Sequence, residues 1–430
     1  MVHFVFVHIK AVLHYTIQCR ILLVMLLVFS NELKGQFTTY HENGNGEKVE
    51  IPFEYINGFI VVDIIFEKVL PLKFILDTGA ENTILLKRTY TDLLKTPCRK
   101  RIKLMGSDLS KEVYATICNS TYIQMINLQP VRHNVIVLEE DFLYLEEYTG
   151  TKIDGILGVS FFRDMVVKLD YKMKILTLYR PEKFLAKRFK DYQVFDIELH
   201  HHKPYLNCIT EVNQGAPLQT KLLLDTGAGL SALFHDNTDS LMKLKNFMIK
   251  GNLGKGLGGN IEGYMGKIHR LQLGDIHFEN MISSFQALNE EVLKEEKVVR
   301  NGLLGNMLFE RFHVIFDFRN KKLYLKPLKN YNKEFEFDKS GLTVFAYGEN
   351  LDKFYIKYVI ENSPGEIAGL LPGDIILKIG CFSYRWYDLK KVNKILSGKT
   401  GKVIKLRIKR GNEILNKEIT LKELFENTKT

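Results

Sequence analysis

Apolar positions along most of this chain fall in short runs, not in a helical rhythm. Ile60–Phe66, Phe74–Leu76 and Ile175–Tyr179 are strand-length, apolar or alternating, and bounded by Gly, Pro, Asn or Asp. That is the pattern of β-strands joined by tight turns. Helical spacing becomes clear only near the end, where Leu389, Val392, Ile395 and Leu396 share one face. The body of the chain therefore reads as mainly β.

The first stretch is different. Ile21 to Phe29 is an unbroken apolar run preceded by Lys10 and Arg20. A membrane-spanning helix takes roughly 20 apolar residues, so this run suits the core of an export signal better. Residues 1–35 are expected to be a signal peptide, with small residues Ser30 and Gly35 as candidate cleavage points. The Gly35–Gln36 junction is similar to export signals of some Gram-negative bacteria, and the expected location is the periplasm or cell envelope. The segment before the run is long and itself apolar, which leaves both a cleaved signal and an uncleaved membrane anchor open.

The body is written twice. Phe74-Ile75-Leu76-Asp77-Thr78-Gly79-Ala80 recurs as Leu222-Leu223-Leu224-Asp225-Thr226-Gly227-Ala228, 148 positions later. Asp154-Gly155-Ile156-Leu157-Gly158 recurs as Asn301-Gly302-Leu303-Leu304-Gly305 at an offset of 147, and Asp170 recurs as Asp317 at the same offset. A given tetrapeptide occurs by chance at ~1 in 10^5 positions, so landmarks that hold one register mean an internal duplication. The copies are expected over 36–182 and 190–330, with Arg180 to Asp191 as the linker.

An apolar strand ending in Asp-Thr-Gly sets a carboxylate where the strand meets a turn. Gly79 and Gly227 let the backbone fold beneath it, and Thr78 and Thr226 supply short hydroxyls able to lock one loop to its partner. One such loop is a turn. Two copies can face each other across a pseudo-twofold axis and bring Asp77 and Asp225 together. Neighbouring carboxylates cannot both ionise; they share a proton, and the pair can activate a water held between them.

These residues resemble the aspartic proteases of the pepsin and retropepsin type. Each Asp-Thr-Gly-Ala loop is followed about 78 residues later by a hydrophobic-hydrophobic-Gly segment, ending at Gly158 and at Gly305. The resemblance covers roughly residues 50 to 328. It implies a duplicated two-lobe acid-protease β-barrel fold, Asp77 and Asp225 as catalytic residues, and Gly158 and Gly305 on strands packed beneath the loops. It also implies peptide or protein substrates and no cofactor or metal. Ala80 and Ala228 stand where pepsin-like enzymes usually carry Ser or Thr. That is similar to retropepsins, and it removes one reason to expect a strongly acidic pH optimum. Both halves lie on one chain, so a monomer suffices. The family's flap hairpin is expected over Leu253 to Gly266, with Gly258, Gly259 and Tyr264 as candidate residues, and a counterpart near Met105 to Ala115 that includes Tyr114.

From about Ser340 the pattern changes. Ser363-Pro364 opens a short helix, with Ser as N-cap and Pro at the first position. Pro372-Gly373-Asp374 then turns into the strand Ile375–Ile379. The run Ser363 to Ile376 resembles the hallmark of bacterial PDZ domains, small α+β modules that add a peptide as an extra strand. The module is expected over 338–424, with its groove between Phe354–Ile360 and Leu389–Leu396. Asn350 to Lys353 lack the glycines of the family's carboxylate-binding loop. A PDZ domain that tethers substrate and one packed on the protease lobes both remain open. Duplicated protease halves, a PDZ module and an export signal together resemble an envelope protease family of Gram-negative bacteria. The alternative from another class is a peptide-binding scaffold on a protease fold that no longer turns over.

Composition excludes other classes. Of 430 residues 46% are hydrophobic and 26% charged, which places the chain among folded globular proteins. The net charge of +10 comes with no long basic run, so it reads as solvated surface and not as a nucleic-acid site. Gly256 to Gly259 is not followed by the Gly-Lys-Ser/Thr of a phosphate cradle. His200, His201 and His202 would alternate faces on a strand, so solvated side chains are expected, not a metal site. Asp170 and Asp317 each precede a Lys/Asn/Arg-rich turn and read as hairpin residues. The cysteines form no Cys-x-x-Cys; Cys98 and Cys118 can pair in an exported protein, but free buried thiols are the expectation taken here.

Overall fold

The computed structural model describes residues 47–105, 112–141, 143–245, 247–256, 259–288 and 300–425. The expected signal peptide lies outside them. The duplicated copies form two six-stranded barrels. In the first, the ring runs Phe59–Phe66, Leu70–Asp77, Gly155–Gly158, Thr83–Leu85, Val131–Leu138 and Glu112–Met125, and closes where Ile64 pairs with Met125. In the second it runs Lys203–Glu211, Pro217–Leu224, Gly302–Leu304, Ala232–His235, Ile276–Gln286 and Gly259–Leu273, closing where Ile209 pairs with Gln272. Closure removes the exposed sheet edges that such short strands would otherwise present.

A third sheet joins the halves. Its central strands, Val166–Asp170 and Phe312–Asp317, run antiparallel with Val166 opposite Asp317. Lys168 pairs with Ile315, its own equivalent 147 positions later in the sequence. The pseudo-twofold axis therefore passes between these two residues. One continuous apolar core, from Ile51 and Phe66 through Leu169 and Val314 to Leu224 and Phe285, runs through both barrels and this sheet. Asp170 and Asp317 are hairpin residues: their carboxylates accept the backbone N–H of Met173 (2.9 Å) and Asn320 (3.0 Å).

From each barrel extends a long hairpin, Cys98–Met105 with Glu112–Met125 and Met248–Gly256 with Gly259–Leu273. Both tips, Gly258 included, lie outside the described residues, and Gly259 pairs with Gly256 at the last described rung. Cys98 and Cys118 stand directly opposite each other on the first hairpin and form a disulfide. This corrects the expectation of free thiols there; strand register, which the spacing of cysteines does not reveal, brings the two together. Cys208 and Cys381 are free.

The C-terminal domain has its own core, built on Val344, Ile356, Ile376, Val392, Leu406 and Ile419. Its strands lie in the order Leu342–Tyr347, Lys353–Val359, Ile375–Ile379, Val403–Arg410 and Glu413–Thr420. Ser363 caps the short helix Pro364–Ile367, accepting the N–H of Glu366. The expected groove is corrected. Lys353–Val359 has a paired neighbour on each side and so no free edge. The edge strand beside the helix Leu389–Leu396 is Leu342–Tyr347.

Candidate active site

Each Asp-Thr-Gly loop leaves the end of a barrel strand held in parallel against its hydrophobic-hydrophobic-Gly segment. Asp77 pairs with Gly158, and Leu224 with Leu304. The repeated Asp154 and Asn301 explain this register. Asp154 Oδ2 accepts the N–H of Lys73 (2.9 Å) and Asn301 Oδ1 that of Lys221 (2.9 Å), so each clamps the strand leading to its loop. Gly158 and Gly305 are required by close approach. A Cβ at Gly158 would lie 2.4 Å from the carbonyl oxygen of Asn82, and one at Gly305 2.3 Å from that of Leu230.

The threonines lock the loops across the seam. The Thr78 N–H donates to Thr226 Oγ1 and the Thr226 N–H to Thr78 Oγ1, both at 3.0 Å. Each hydroxyl then donates onward across the axis, Thr78 to the Leu224 carbonyl (2.6 Å) and Thr226 to the Leu76 carbonyl (2.8 Å). Both side chains are buried, where hydrogen bonds are strengthened by the low local dielectric.

Above this lock Asp77 and Asp225 meet. Asp77 Oδ1 accepts the N–H of Gly79 (2.7 Å) and of Ala80 (2.9 Å), while Asp225 Oδ1 accepts that of Gly227 (2.8 Å). The two carboxyl groups interact directly, and each shifts the titration of the other. Burial and then the charge of Asp225 hold the Asp77 carboxyl well above the usual carboxylate range, against the pull of its two backbone donors. Burial raises Asp225 as well, offset by the Gly227 N–H and by the hydrogen bond from Asp77. Both carboxyls are pushed upward, and the titration belongs to the pair as a unit.

The two halves are not identical. Ala80 donates to the Asp77 carboxylate, but the Ala228 N–H donates to the Asp225 main-chain carbonyl (3.3 Å). Sequence reasoning missed Asn306, which follows Gly305 where the first copy has Val159. Its buried amide donates to the carbonyls of Thr226 and Gly58 (2.8 Å to Gly58) and accepts from the Tyr171 hydroxyl (2.6 Å). The signal was a lone polar residue inside the apolar run Leu303 to Phe309.

Tyr264 sits at the root of its hairpin, opposite Lys250, and not at the tip. Its hydroxyl donates to Asp236 (2.9 Å) and its ring stacks on Phe285. Tyr114 is exposed beside Arg101. His201 and His202 form the tight turn between Glu198–His200 and Lys203–Glu211, with φ of 49° and 63°, so two of the three histidines are turn residues and not strand residues. They and His200 approach separate partners: Glu198, Glu81 and Arg163. Among the described residues no group of three or more His, Cys, Asp or Glu could hold a metal ion.

The fold and the paired loops define a duplicated two-lobe acid-protease fold followed by a PDZ domain. Comparison with known families agrees: the chain matches the aspartyl protease family over residues 57–161 and again over 210–308, and the PDZ domain family over 355–410. It is also similar to a protein of Staphylococcus haemolyticus named as a probable CtpA-like serine protease, with 36% identity over 97 residues. That match spans 22% of this chain and 19% of the relative's length.

Proposed function

We propose that the chain is an aspartic endopeptidase in which Asp77 and Asp225 are the catalytic residues. The observation that carries this is the meeting of the two carboxyls over a symmetric lock made by Thr78 and Thr226. A water between them loses a proton to Asp225 as its oxygen bonds to the carbon of a peptide carbonyl. The Asp77 proton passes to the carbonyl oxygen, giving a neutral tetrahedral diol. Asp225 then returns its proton to the amide nitrogen as the C–N bond breaks, and Asp77 recovers one from a diol hydroxyl as the acid forms. All ligands of this step come from one chain, which supports action as a monomer. The Cys98–Cys118 disulfide supports work in an oxidising compartment such as the cell envelope, and the two long hairpins support flaps closing over an extended peptide.

The test is cleavage of a mixed peptide library by the purified chain over about pH 3 to 8, the range in which carboxyl groups and histidines titrate. Asp77→Asn and Asp225→Asn should each abolish cleavage. Ser160→Ala, which removes a hydroxyl bonded to His133 (3.2 Å), should leave it unchanged. Loss of activity in Ser160→Ala together with survival in either Asp variant would assign the chemistry to a serine.

A further inference from the structure

A PDZ domain recruits a peptide by adding it to the edge strand beside its helix. Here that edge is Leu342–Tyr347, and part of it is already covered. Leu342, Val344 and Ala346 point into the PDZ core, so Phe345 faces the other way, yet it is buried. What covers it is the first lobe. The short helix Leu145–Thr149 packs on this strand, with the Tyr148 ring edge-on to Phe345 at 5.6 Å. Glu147 accepts the hydroxyl of Tyr355 on the next strand (2.9 Å). Gly150 lies so close to the first residue of the PDZ helix that a Cβ there would be 2.6 Å from Leu389 Cβ. Tyr148 to Gly150 therefore bridge from the edge strand to the helix. The loop entering the strand is also engaged: Asp338 accepts the N–H groups of Ser340 and Gly341, and Ser340 Oγ accepts that of Leu342.

The same residues reach the Asp225 loop from behind. The Tyr148 carbonyl accepts Asn57 Nδ2 (3.0 Å), and its ring meets Phe59 edge-on at 5.9 Å. Between those two, Gly58 lies against Gly229, where a Cβ would come within 2.7 Å of the Gly229 Cα. The Gly58 carbonyl shares the Asn306 amide with Thr226.

We propose that the peptide-binding edge of this PDZ domain takes the chain's own Tyr148–Gly150 segment as its resident partner, and that Phe345, through Tyr148 and the Asn57–Gly58 turn, positions the Asp225 loop. The domain then works as a clamp on the hydrolytic site, and an extended peptide added to that edge must first displace the clamp.

Hydrogen exchange of the full chain tests this independently of any activity. Phe345→Ala removes one packed aromatic contact, worth about tenfold in a local opening equilibrium. Exchange at residues 57–59 and 227–230 should rise by about that factor. Trp386→Ala, an exposed PDZ residue, should change neither segment. Where cleavage is measurable, Phe345→Ala should lower kcat and leave KM within about twofold, because the site loses geometry and not substrate contacts. This kinetic arm alone rests on the peptidase reading; a chain that cleaves nothing refutes that reading and leaves the exchange result decisive for the clamp. Unchanged exchange in both segments of a folded Phe345→Ala variant overturns the proposal. Should that variant fail to fold, Tyr355→Phe decides in its place: it removes only the hydrogen bond to Glu147, and unchanged exchange there overturns the proposal equally.

Discussion

Gly79 faces Asp225 across the seam of the two halves, so closely that a Cβ on Gly79 would lie 2.5 Å from the Asp225 carboxyl carbon. The reciprocal contact, Gly227 to Asp77, is tighter still at 2.2 Å. Each half therefore contributes a carboxyl group and also the space that the other half's carboxyl occupies.

That space is a prediction. Gly79→Ala or Gly227→Ala pushes the opposite carboxyl out of its place, and displacements of about 1 Å at a reacting group cost on the order of 10²-fold in rate. We expect kcat/KM on a peptide substrate to fall by about that factor, with larger loss in Gly227→Ala. Steady-state kinetics on the two purified variants checks it, and equal, near wild-type rates would refute it.

Asn306 separates the two halves in a second way. Asn306→Val restores the residue of the first copy but strands the Tyr171 hydroxyl and the Thr226 carbonyl in a buried site and leaves the half-buried Gly58 carbonyl without the amide. Each unsatisfied buried group costs about 1–3 kcal/mol, so the global unfolding free energy should drop by several kcal/mol. Val159→Asn, at the equivalent position of the first half, gains no such partners and should not compensate. Chemical denaturation of the two single variants and the double variant measures this.

The raised titration of the Asp77 carboxyl makes stability depend on pH with a definite sign. Asp77 titrates well above its ordinary value of 3.8, so between that value and its raised one the folded chain binds a proton that the unfolded chain does not. Stability contributed by this group is present in full below the ordinary value and is lost as pH rises through the raised one, with a slope of up to about 1.4 kcal/mol per pH unit. Asp77→Asn removes this group's titration and should reduce that decline to the part contributed by Asp225, becoming stabilised relative to wild type as pH increases. Denaturant midpoints measured across the acid-to-neutral range decide it; parallel profiles for the two proteins would be the contrary result.

Much of this was legible from residues alone. The duplication, the paired Asp-Thr-Gly loops and their glycines are local patterns at constant spacing, and a turn that brings backbone N–H groups to a carboxylate needs only adjacent residues. The cap at Ser363 and the helix face of Leu389, Val392 and Leu396 are equally local. The Cys98–Cys118 bridge was not legible, because it depends on which rung of a hairpin each cysteine occupies. The PDZ edge was misplaced because Phe354–Ile360 and Leu342–Tyr347 are both apolar strands, and only sheet order tells an inner strand from an outer one. Tyr264 carried no mark of its position along the hairpin until the register set it opposite Lys250.

By itself the amino-acid sequence determined the repeated unit, the Asp-Thr-Gly loop each copy carries and the small module that follows, since these depend on neighbours along the backbone. Only the tertiary structure decided that Asp77 and Asp225 meet at the seam, that Asn306 serves one loop and not the other, and that the first lobe lies on the PDZ edge. Those outcomes depend on distances between atoms far apart in the chain, and burial at a seam sets both their energies and their asymmetry.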